Sequence, residues 1–567
     1  MSAAMLALPG LGTHLADLSG AHVVIALLLV LLSSLYLLHR NQRRSALSNL
    51  PGPPSASWVL GNAGEMLLSG EPGTAAARWL AEHGGTISYA SLLGTRGLAT
   101  TDLVALAHIT RNAYEFVKPR NANALLGSIL GDGILTAEGS AHRRQRRVLN
   151  PAFGPGTVRA FVPAFLDTTR TLARKWAGVL ENGTRASYTL AKEEDKVPGA
   201  AKIDVLRGMN ELTLDVLGTT VFGVDFGALA DNGTRHELAQ AYGDMAAAAY
   251  RLDPLALAET QWGVLKLIPS KRRRMVQRAH ATAARHGAQL LSDARAALAA
   301  ESKGGDGDSA RRKDLLSLLL RANTDAELRA DQRLSDDEVL AQMTTFLFAG
   351  HETTAGVLAF ALARLAEHQG VQDKLFAEVE GVGDEPDHDT LNALPYLDAF
   401  VREVLRLDGP VTEILREPAR DVELPLASPV VGRDGRTMAS IHLRKGDEIY
   451  IPIYSVNRSE AVWGDDAKLF NPERHVAAAA AKGPGAKVPG VWGNLLSFYG
   501  GARNCVGYRF AVVEMKAILF VLVRSFAFAP LPSRPRVRRD WMIVVRPVVE
   551  GEEGFGPQMP LLVTARE

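Results

Sequence analysis

The distribution of apolar positions along the chain predicts a mainly helical protein. Residues three and four apart share an apolar face in four long segments: 158–181, 274–301, 314–323 and 336–368. Strand-like runs are sparser, and the clearest are 446–453 and 541–548. The chain shows no repeat of the solenoid kind. The pattern therefore predicts an α+β fold that is mainly α with small β-sheets.

The segment 336–368 has the best-defined start and an unusual centre. Ser335 and Glu338 fit a capping box, in which the hydroxyl and the carboxylate each bind a backbone N–H of the first turn. About 33 helical residues extend for about 50 Å, enough to cross a large domain. Near the middle, the hydroxyl of Thr353 can bind the carbonyl of Ala349, and Gly350 permits a close approach to the backbone. The alternative is a tolerated surface turn.

The N-terminal region predicts a membrane anchor. The 21 residues from Leu18 to Leu38 carry no formal charge, and about 20 such residues span a bilayer. No Lys or Arg precedes residue 40, whereas Arg40, Arg43 and Arg44 follow at once. This asymmetry favours an uncleaved signal anchor, with residues 1–17 across the membrane and the remainder in the cytosol. The alternative is a buried core helix.

The soluble part of the chain begins after a stiff connection. Residues 39–54 are basic and then rich in proline, with Pro51, Pro53 and Pro54 unable to continue a helix. We expect this segment to be a hinge and residues 55–567 to form one large domain. The small and polar stretches 302–313 and 477–490 are typical of exposed connections.

The amino-acid composition excludes several classes of function. The 567 residues have a net charge of +1, which gives no polycation for a nucleic acid. Cys505 is the only cysteine, so intramolecular disulfides, zinc sites made of several cysteines and multi-thiolate iron–sulfur clusters are excluded. Three roles remain for Cys505: an inert buried residue, a nucleophile or a single metal ligand.

The surroundings of Cys505 and four other blocks carry a family resemblance. The residues Phe498, Gly501, Arg503, Cys505 and Gly507 match every defined position of F-x-x-G-x-R-x-C-x-G, the haem-binding signature of the cytochrome P450 family. The other blocks that resemble the family are 142–153 (HRRQRRVLNPAF), 349–354 (AGHETT), 403–406 (EVLR) and 470–474 (FNPER). They follow in the family's order, and the resemblance covers about residue 50 to the C-terminus.

The resemblance implies a role for each motif. It makes Cys505 the thiolate ligand of a haem b iron, in a loop shaped by Phe498, Gly501 and Gly507. It assigns the haem propionates to four residues: His142, Arg146, Arg416 and Arg503. On the opposite side, it implies that Ala349 and Gly350 leave room for O₂, that Thr353 binds the iron-bound oxygen and that Glu352 relays protons. Three residues form a structural network in the family: Glu403, Arg406 and Arg474.

Two positions depart from the family pattern. His142 stands where the family usually has Trp, and we expect its ring N–H to serve the same propionate. His475 stands where an aromatic residue usually follows the P-E-R segment, which affects only the expected packing of that loop.

The expected activity is that of a monooxygenase that oxidises a lipophilic substrate with O₂. Only 62 residues follow Cys505, too few for a flavin domain, so the resemblance implies a separate NADPH-dependent cytochrome P450 reductase, with cytochrome b5 as a further donor. The expected location of the protein is the endoplasmic reticulum membrane. The sequence resembles fungal members, in which terpenoids and other secondary metabolites are common substrates. The alternatives are a haem-thiolate isomerase or dehydratase, and a non-catalytic haem-binding membrane protein.

Overall fold

The computed structural model describes residues 45–566, with gaps at 58, 69, 92–94, 183–194, 231–236, 239, 242, 244, 246–258, 260–268, 305–313, 325–328, 481–486 and 542. The predicted N-terminal segment 1–17, the anchor 18–38 and most of the hinge 39–54 lie outside the described residues. Parts of the two predicted polar connections do so as well.

Seventeen α-helices are found in the described part of the chain. Their bounds are α1 Ala63–Leu68, α2 Thr74–His83, α3 Leu103–Arg111, α4 Arg120–Leu130, α5 Gly139–Ala152, α6 Pro155–Asn182, α7 Val205–Leu217, α8 Lys271–Gly304, α9 Leu315–Thr324, α10 Asp336–Glu367, α11 Gln369–Glu380, α12 His388–Ala393, α13 Pro395–Asp408, α14 Ile453–Val456, α15 Glu460–Trp463, α16 Glu473–Ala480 and α17 Tyr508–Ser525. A π-helical turn, Gly218–Phe222, extends α7.

The strands form small sheets at the margins of this helical body. Their bounds are β1 Thr86–Ala90, β2 Arg96–Thr100, β3 Phe116–Val117, β4 Ala200–Asp204, β5 Ile414–Pro418, β6 Val422–Val431, β7 Thr437–Leu443, β8 Glu448–Ile451, β9 Phe526–Ala529, β10 Val537–Trp541, β11 Val545–Val549 and β12 Pro560–Ala565. One sheet has the order β1-β2-β8-β5-β3, in which β2 and β8 are parallel. A second has the order β4-β12-β9, and β6–β7 and β10–β11 are antiparallel pairs.

Helix α10 runs through the centre of the main hydrophobic core. It packs against α7 along its length, while α17 packs against α6 and also contacts α10. Leu347 and Leu358 of α10 and Leu522 of α17 are fully buried. Among the described residues, α10 is the one helix long and apolar enough to cross a membrane, and its burial within the protein accounts for that composition.

The sequence predicted the long helices well and the strands less well. Segments 158–181, 274–301, 314–323 and 336–368 correspond to α6, α8, α9 and α10, and the capping box of Ser335 and Glu338 is present. The single strand predicted over 541–548 is wrong. The chain reverses there, and Trp541 of β10 pairs with Val545 of β11. The strand predicted over 446–453 is shorter, because Pro452 ends β8 and caps α14.

Candidate active site

The loop before α17 presents the only cysteine of the chain. Cys505 donates its backbone N–H to the carbonyl oxygen of Phe498 over 2.9 Å, which closes the loop. Gly501 has a φ of +64°, and a Cβ there would meet the carbonyl oxygen of Thr110 at 1.9 Å. Only glycine permits both this backbone conformation and this contact. Gly507 then caps α17, whose N-terminus follows the cysteine by three residues.

The thiol of Cys505 lies between opposing influences. The residue is exposed, yet the surrounding protein desolvates the sulfur and raises the pKa of the thiol. The backbone N–H of Gly507 binds the sulfur, and the positive charge of Arg146 is close; both act to lower that pKa. The positive end of α17 acts in the same direction. The loop can therefore stabilise Cys505 as a thiolate when the sulfur binds a partner.

Four basic residues gather beside this loop, and we call them the cationic cluster: Lys118, Arg146, Arg416 and Arg503. The Arg503 side chain is 4% exposed and that of Lys118 is 13% exposed. Glu138 accepts hydrogen bonds from Lys118, over 3.0 Å, and from Arg503. In the described part of the chain no second carboxylate hydrogen-bonds to the cluster. The cluster therefore holds more positive charge than the protein neutralises.

The remaining contacts of the cluster are to neutral groups. Arg146 donates to the backbone and side-chain oxygens of Asn504, the neighbour of Cys505. Arg503 also donates to the carbonyl of Ala137 over 2.7 Å. Arg416 lies in β5 with its guanidinium 5.1 Å from the ring centre of Tyr499. These contacts fix the side chains without cancelling their charge.

His142 lies against the cationic cluster. Its Nδ1 is 3.2 Å from the hydroxyl of Tyr114, and the two rings meet edge to face at 5.8 Å between centroids. Burial, together with the four cations, lowers the pKa of His142 to about 3. The imidazole is therefore neutral at physiological pH.

The centre of α10 faces an open space. Ala349 is exposed although its neighbours Leu347 and Phe348 are buried, so one face of this core helix is accessible there. Thr353 donates its hydroxyl to the carbonyl of Ala349 over 2.5 Å, as predicted from the spacing. A Cβ on Gly350 would meet the side chain of Leu217 at 2.9 Å. Gly350 therefore permits a close approach of helix α7.

Glu352 is tied to the C-terminal part of the chain. One oxygen of its buried carboxylate pairs with the guanidinium of Arg546 in β11, and the other has no hydrogen-bond partner. Burial raises the pKa of Glu352, and Arg546 opposes that shift. Sequence reasoning missed Arg546, because β11 carries none of the family motifs that pointed to Glu352.

Aromatic contacts connect the cysteine loop to α10. Phe153, at the C-cap of α5, packs edge to face on Phe346 of α10 with centroids 5.4 Å apart. A Cβ placed on Gly507 would lie 3.7 Å from the Phe153 ring. The cysteine loop and the central helix therefore belong to one packed unit.

A second group of charges lies away from the cysteine, and we call it the Glu403 network: Glu403, Arg406, Arg474, His475 and Asp466. Glu403 accepts from Arg406 over 2.7 and 2.8 Å, from Arg474 over 3.0 Å and from His475 over 2.9 Å. Arg474 also pairs with Asp466 over 2.7 Å. The expectation that His475 affects only packing is wrong, because its Nε2 contacts the central carboxylate.

The Glu403 network is closed. The side chains of Glu403 and Arg406 are fully buried. Arg406 uses its remaining donors on the carbonyls of Asn457, Ala467 and Leu469. Burial would raise the pKa of Glu403, but hydrogen bonds from Arg406 and His475 outweigh it and hold that pKa at about 2. The network therefore joins α13, α16 and the loop before α16 with its charges paired.

The donor groups fit a haem. A haem presents two carboxylates and an iron atom, and the site offers surplus buried cations and an accessible thiol within one packed unit. Guanidinium groups suit carboxylates, and a thiolate suits haem iron. A mainly helical fold with this loop and this charge pattern defines the class of haem-thiolate oxidoreductases.

Comparison with known proteins agrees with this class. A family model described as Cytochrome P450 matches residues 51–551, and the chain belongs to that family. It is 39% identical over 526 residues to Cytochrome P450 monooxygenase 128 of Postia placenta, an alignment that covers 92% of this chain and 93% of that protein. It is 32% identical over 537 residues to Cytochrome P450 monooxygenase claQ of Ampulloclitocybe clavipes, covering 93% and 95%. The protein is therefore an oxidoreductase of the monooxygenase type.

Proposed function

We propose that this protein is a membrane-anchored monooxygenase that oxidises a lipophilic secondary metabolite, such as a terpenoid, with O₂. A separate NADPH-dependent cytochrome P450 reductase supplies the electrons, with cytochrome b5 as a further donor. The observation that carries the proposal is the unneutralised cationic cluster beside the accessible Cys505. The fungal relatives, named as cytochrome P450 monooxygenases, support the type of reaction.

The proposed organisation follows the sequence. Residues 1–17 lie outside the cytosol, 18–38 span the endoplasmic reticulum membrane, 39–54 form the hinge and 55–567 form the haem domain on the cytosolic side. An anchor of this length keeps the domain at the bilayer, where a lipophilic substrate concentrates. The family match from residue 51 to 551 is consistent with this division.

The chain's own residues bind and orient the cofactor in this proposal. When bound, the haem supplies O₂ binding and one-electron chemistry. Cys505 would bind the iron as a thiolate, and the electron density that a thiolate donates would favour oxygen activation. Three arginines of the cationic cluster, Arg146, Arg416 and Arg503, neutralise the propionates, and His142 adds a neutral donor.

In this proposal, two residues of α10, Thr353 and Glu352, bind or transfer protons. The hydroxyl of Thr353 donates a hydrogen bond to the carbonyl of Ala349. Its oxygen can therefore still accept a hydrogen bond from another group. Glu352 is buried, its pKa is raised, and one carboxylate oxygen has no partner, so it can hold or pass a proton. Arg546 fixes the other oxygen and sets the direction of the side chain.

The replacement Cys505→Ser tests the proposal. We expect the reduced, CO-bound wild type to show the red-shifted Soret band of thiolate ligation, and the variant to lose both that band and product formation. Because the chain has no other cysteine, no second thiol can replace the ligand.

Product formation is measured with the reductase, NADPH and a panel of lipophilic substrates under ¹⁸O₂. Incorporation of one labelled oxygen supports the proposal. A wild type without the red-shifted band would contradict the thiolate ligand, and conversion of substrate without NADPH would favour an isomerase or dehydratase.

A further inference from the structure

The two ring nitrogens of His142 have different surroundings. Nδ1 is 3.2 Å from the hydroxyl of Tyr114. No described residue hydrogen-bonds to Nε2. The four residues of the cationic cluster act on the same imidazole, and Nε2 is the ring nitrogen left for a further partner.

The chemistry of the two groups decides the direction of the contact with Tyr114. A phenolic hydroxyl is a good donor, and the unprotonated nitrogen of an imidazole is a better acceptor than a phenol oxygen. Tyr114 has no other hydrogen-bond partner among the described residues, so its proton is free for Nδ1. The hydroxyl therefore donates to Nδ1, which requires that the proton of the neutral ring resides on Nε2.

The position of Tyr114 is itself fixed by cations. The guanidinium of Arg143 lies 4.0 Å from the Tyr114 ring centre, and that of Arg503 lies 5.3 Å from it. These contacts hold the ring between α5 and the cysteine loop. Tyr114 is thus placed by one member of the cationic cluster and, in turn, orients the neighbouring imidazole.

We propose that Tyr114 is a positioning residue for the haem, because its hydroxyl holds His142 in the tautomer whose Nε2–H is directed to a haem carboxylate. The inference rests on the proposed function and concerns residues that no family motif includes together. The arginines balance the negative charge of the carboxylate. His142 contributes a directed hydrogen bond and adds no further positive charge to the cationic cluster. Burial and the four cations lower the pKa of His142 to about 3, so the ring that meets the carboxylate is neutral and carries a single N–H.

A double-mutant cycle on haem release tests the inference. Haem loss from the full-length protein in detergent is followed by the absorbance change as apomyoglobin captures the released cofactor. We expect Tyr114→Phe, which keeps the ring and its contacts with the arginines, to speed haem loss by about three- to ten-fold, the effect of one hydrogen bond. In a His142→Phe background, Tyr114→Phe should have no further effect.

A variant of His142 provides a rescue. An indole N–H is always a donor and needs no partner to fix its tautomer. In a His142→Trp background, haem should be retained about as in the wild type, and Tyr114→Phe should leave the release rate unchanged. Tyr89→Phe is the matched control, because it removes a tyrosine hydroxyl of β1 that is bound to Glu448 over 2.5 Å, while its ring packs on Trp79 and Tyr450.

The outcomes separate this inference from the proposed function. Equal acceleration by Tyr114→Phe in the wild-type, His142→Phe and His142→Trp backgrounds would overturn the tautomer role while the thiolate spectrum stays intact. An unchanged release rate in Tyr114→Phe would overturn it as well. Absence of the thiolate spectrum in the wild type would instead overturn the proposed function.

Discussion

The Glu403 network and the cationic cluster are both largely buried, and they differ in how their charges are balanced. In the network, Glu403 accepts hydrogen bonds from two arginines and a histidine, and Asp466 accepts one from another nitrogen of the Arg474 guanidinium. In the cationic cluster, the one carboxylate, Glu138, binds two of the four cations, Lys118 and Arg503. A buried ion pair tolerates desolvation only when its partners are complete.

The difference indicates which group supports the fold and which one binds a ligand. Removing a member of the closed network leaves a buried charge without a partner. Removing a cation from the open cluster relieves repulsion among like charges, which offsets the protein contacts that are lost, and takes a partner from the bound anion. The two groups should therefore respond in opposite ways in the apo-protein, and the following predictions depend on that contrast.

The largest expected effect is that of Glu403→Ala. The change leaves Arg406 buried without its carboxylate, and a broken buried pair costs about 3–5 kcal/mol. We expect the variant to accumulate without haem, as measured by the pyridine haemochrome and the CO-bound spectrum against total protein. Glu460→Ala is the matched control, because Glu460 is 56% exposed in its pair with Lys468. Normal haem content in Glu403→Ala would show that the network is dispensable.

Acidification should weaken the same network without mutation. The pKa of Glu403 is about 2 in the fold and about 4.3 in an unfolded chain, a difference worth roughly 3 kcal/mol. A carboxyl with a lowered pKa stabilises the fold above its unfolded value, and this contribution is lost as the pH falls from about 4.3 towards 2. Urea unfolding at pH 7 to 3, followed by tryptophan fluorescence, should show a smaller loss for Glu403→Gln than for the wild type.

His475 also contributes to the loss of stability in acid, and its contribution begins at a higher pH than that of Glu403. Burial lowers the pKa of His475 although Glu403 acts to raise it, so the unfolded chain takes up a proton first. Its contribution is lost as the pH falls below about 6.5, the unfolded value. The replacement His475→Phe should remove the part of the acid sensitivity that lies above pH 5 and keep the part that belongs to Glu403. Parallel curves for the two proteins would contradict this division.

The contrast also shows what a sequence can and cannot predict here. Helix α10 and its capping box depend on residues close in sequence, so the sequence pattern was sufficient to predict both. Glu403 and Arg406 are three positions apart, but His475 joins them across 72 positions. Lys118, Glu138 and Tyr114 belong to no motif and become visible only when the fold brings them to Arg503 and His142. The reversal between Trp541 and Val545 was missed because apolar residues continue on both sides of the turn.

A single cation of the cluster should matter for haem and little for the fold. We expect Arg503→Leu to lose haem at least tenfold faster than the wild type, since a charge-assisted hydrogen bond contributes about 1.5–3 kcal/mol. The apo-protein should change in stability by only about 1 kcal/mol, because the lost bonds to Ala137 and Glu138 are offset by less repulsion from Lys118 and Arg416. Apomyoglobin capture and urea unfolding measure the two quantities, and exposed Arg147→Leu is the control. A large loss of apo-protein stability would place Arg503 with the structural group.

The smallest expected effect concerns Lys118 and appears only in alkali. Burial lowers the pKa of Lys118 to about 8, although Glu138 raises it and Arg503 lowers it further. A bound haem carboxylate favours the charged amine, so haem affinity should be constant below pH 8 and fall a few-fold as the pH rises to 9.5. Lys118→Met should release haem slightly faster at pH 7 and lack this alkaline change. If both proteins show the same rise in haem release between pH 7 and 9.5, Lys118 does not meet the carboxylate, and the surplus charge of the cluster resides on its three arginines alone.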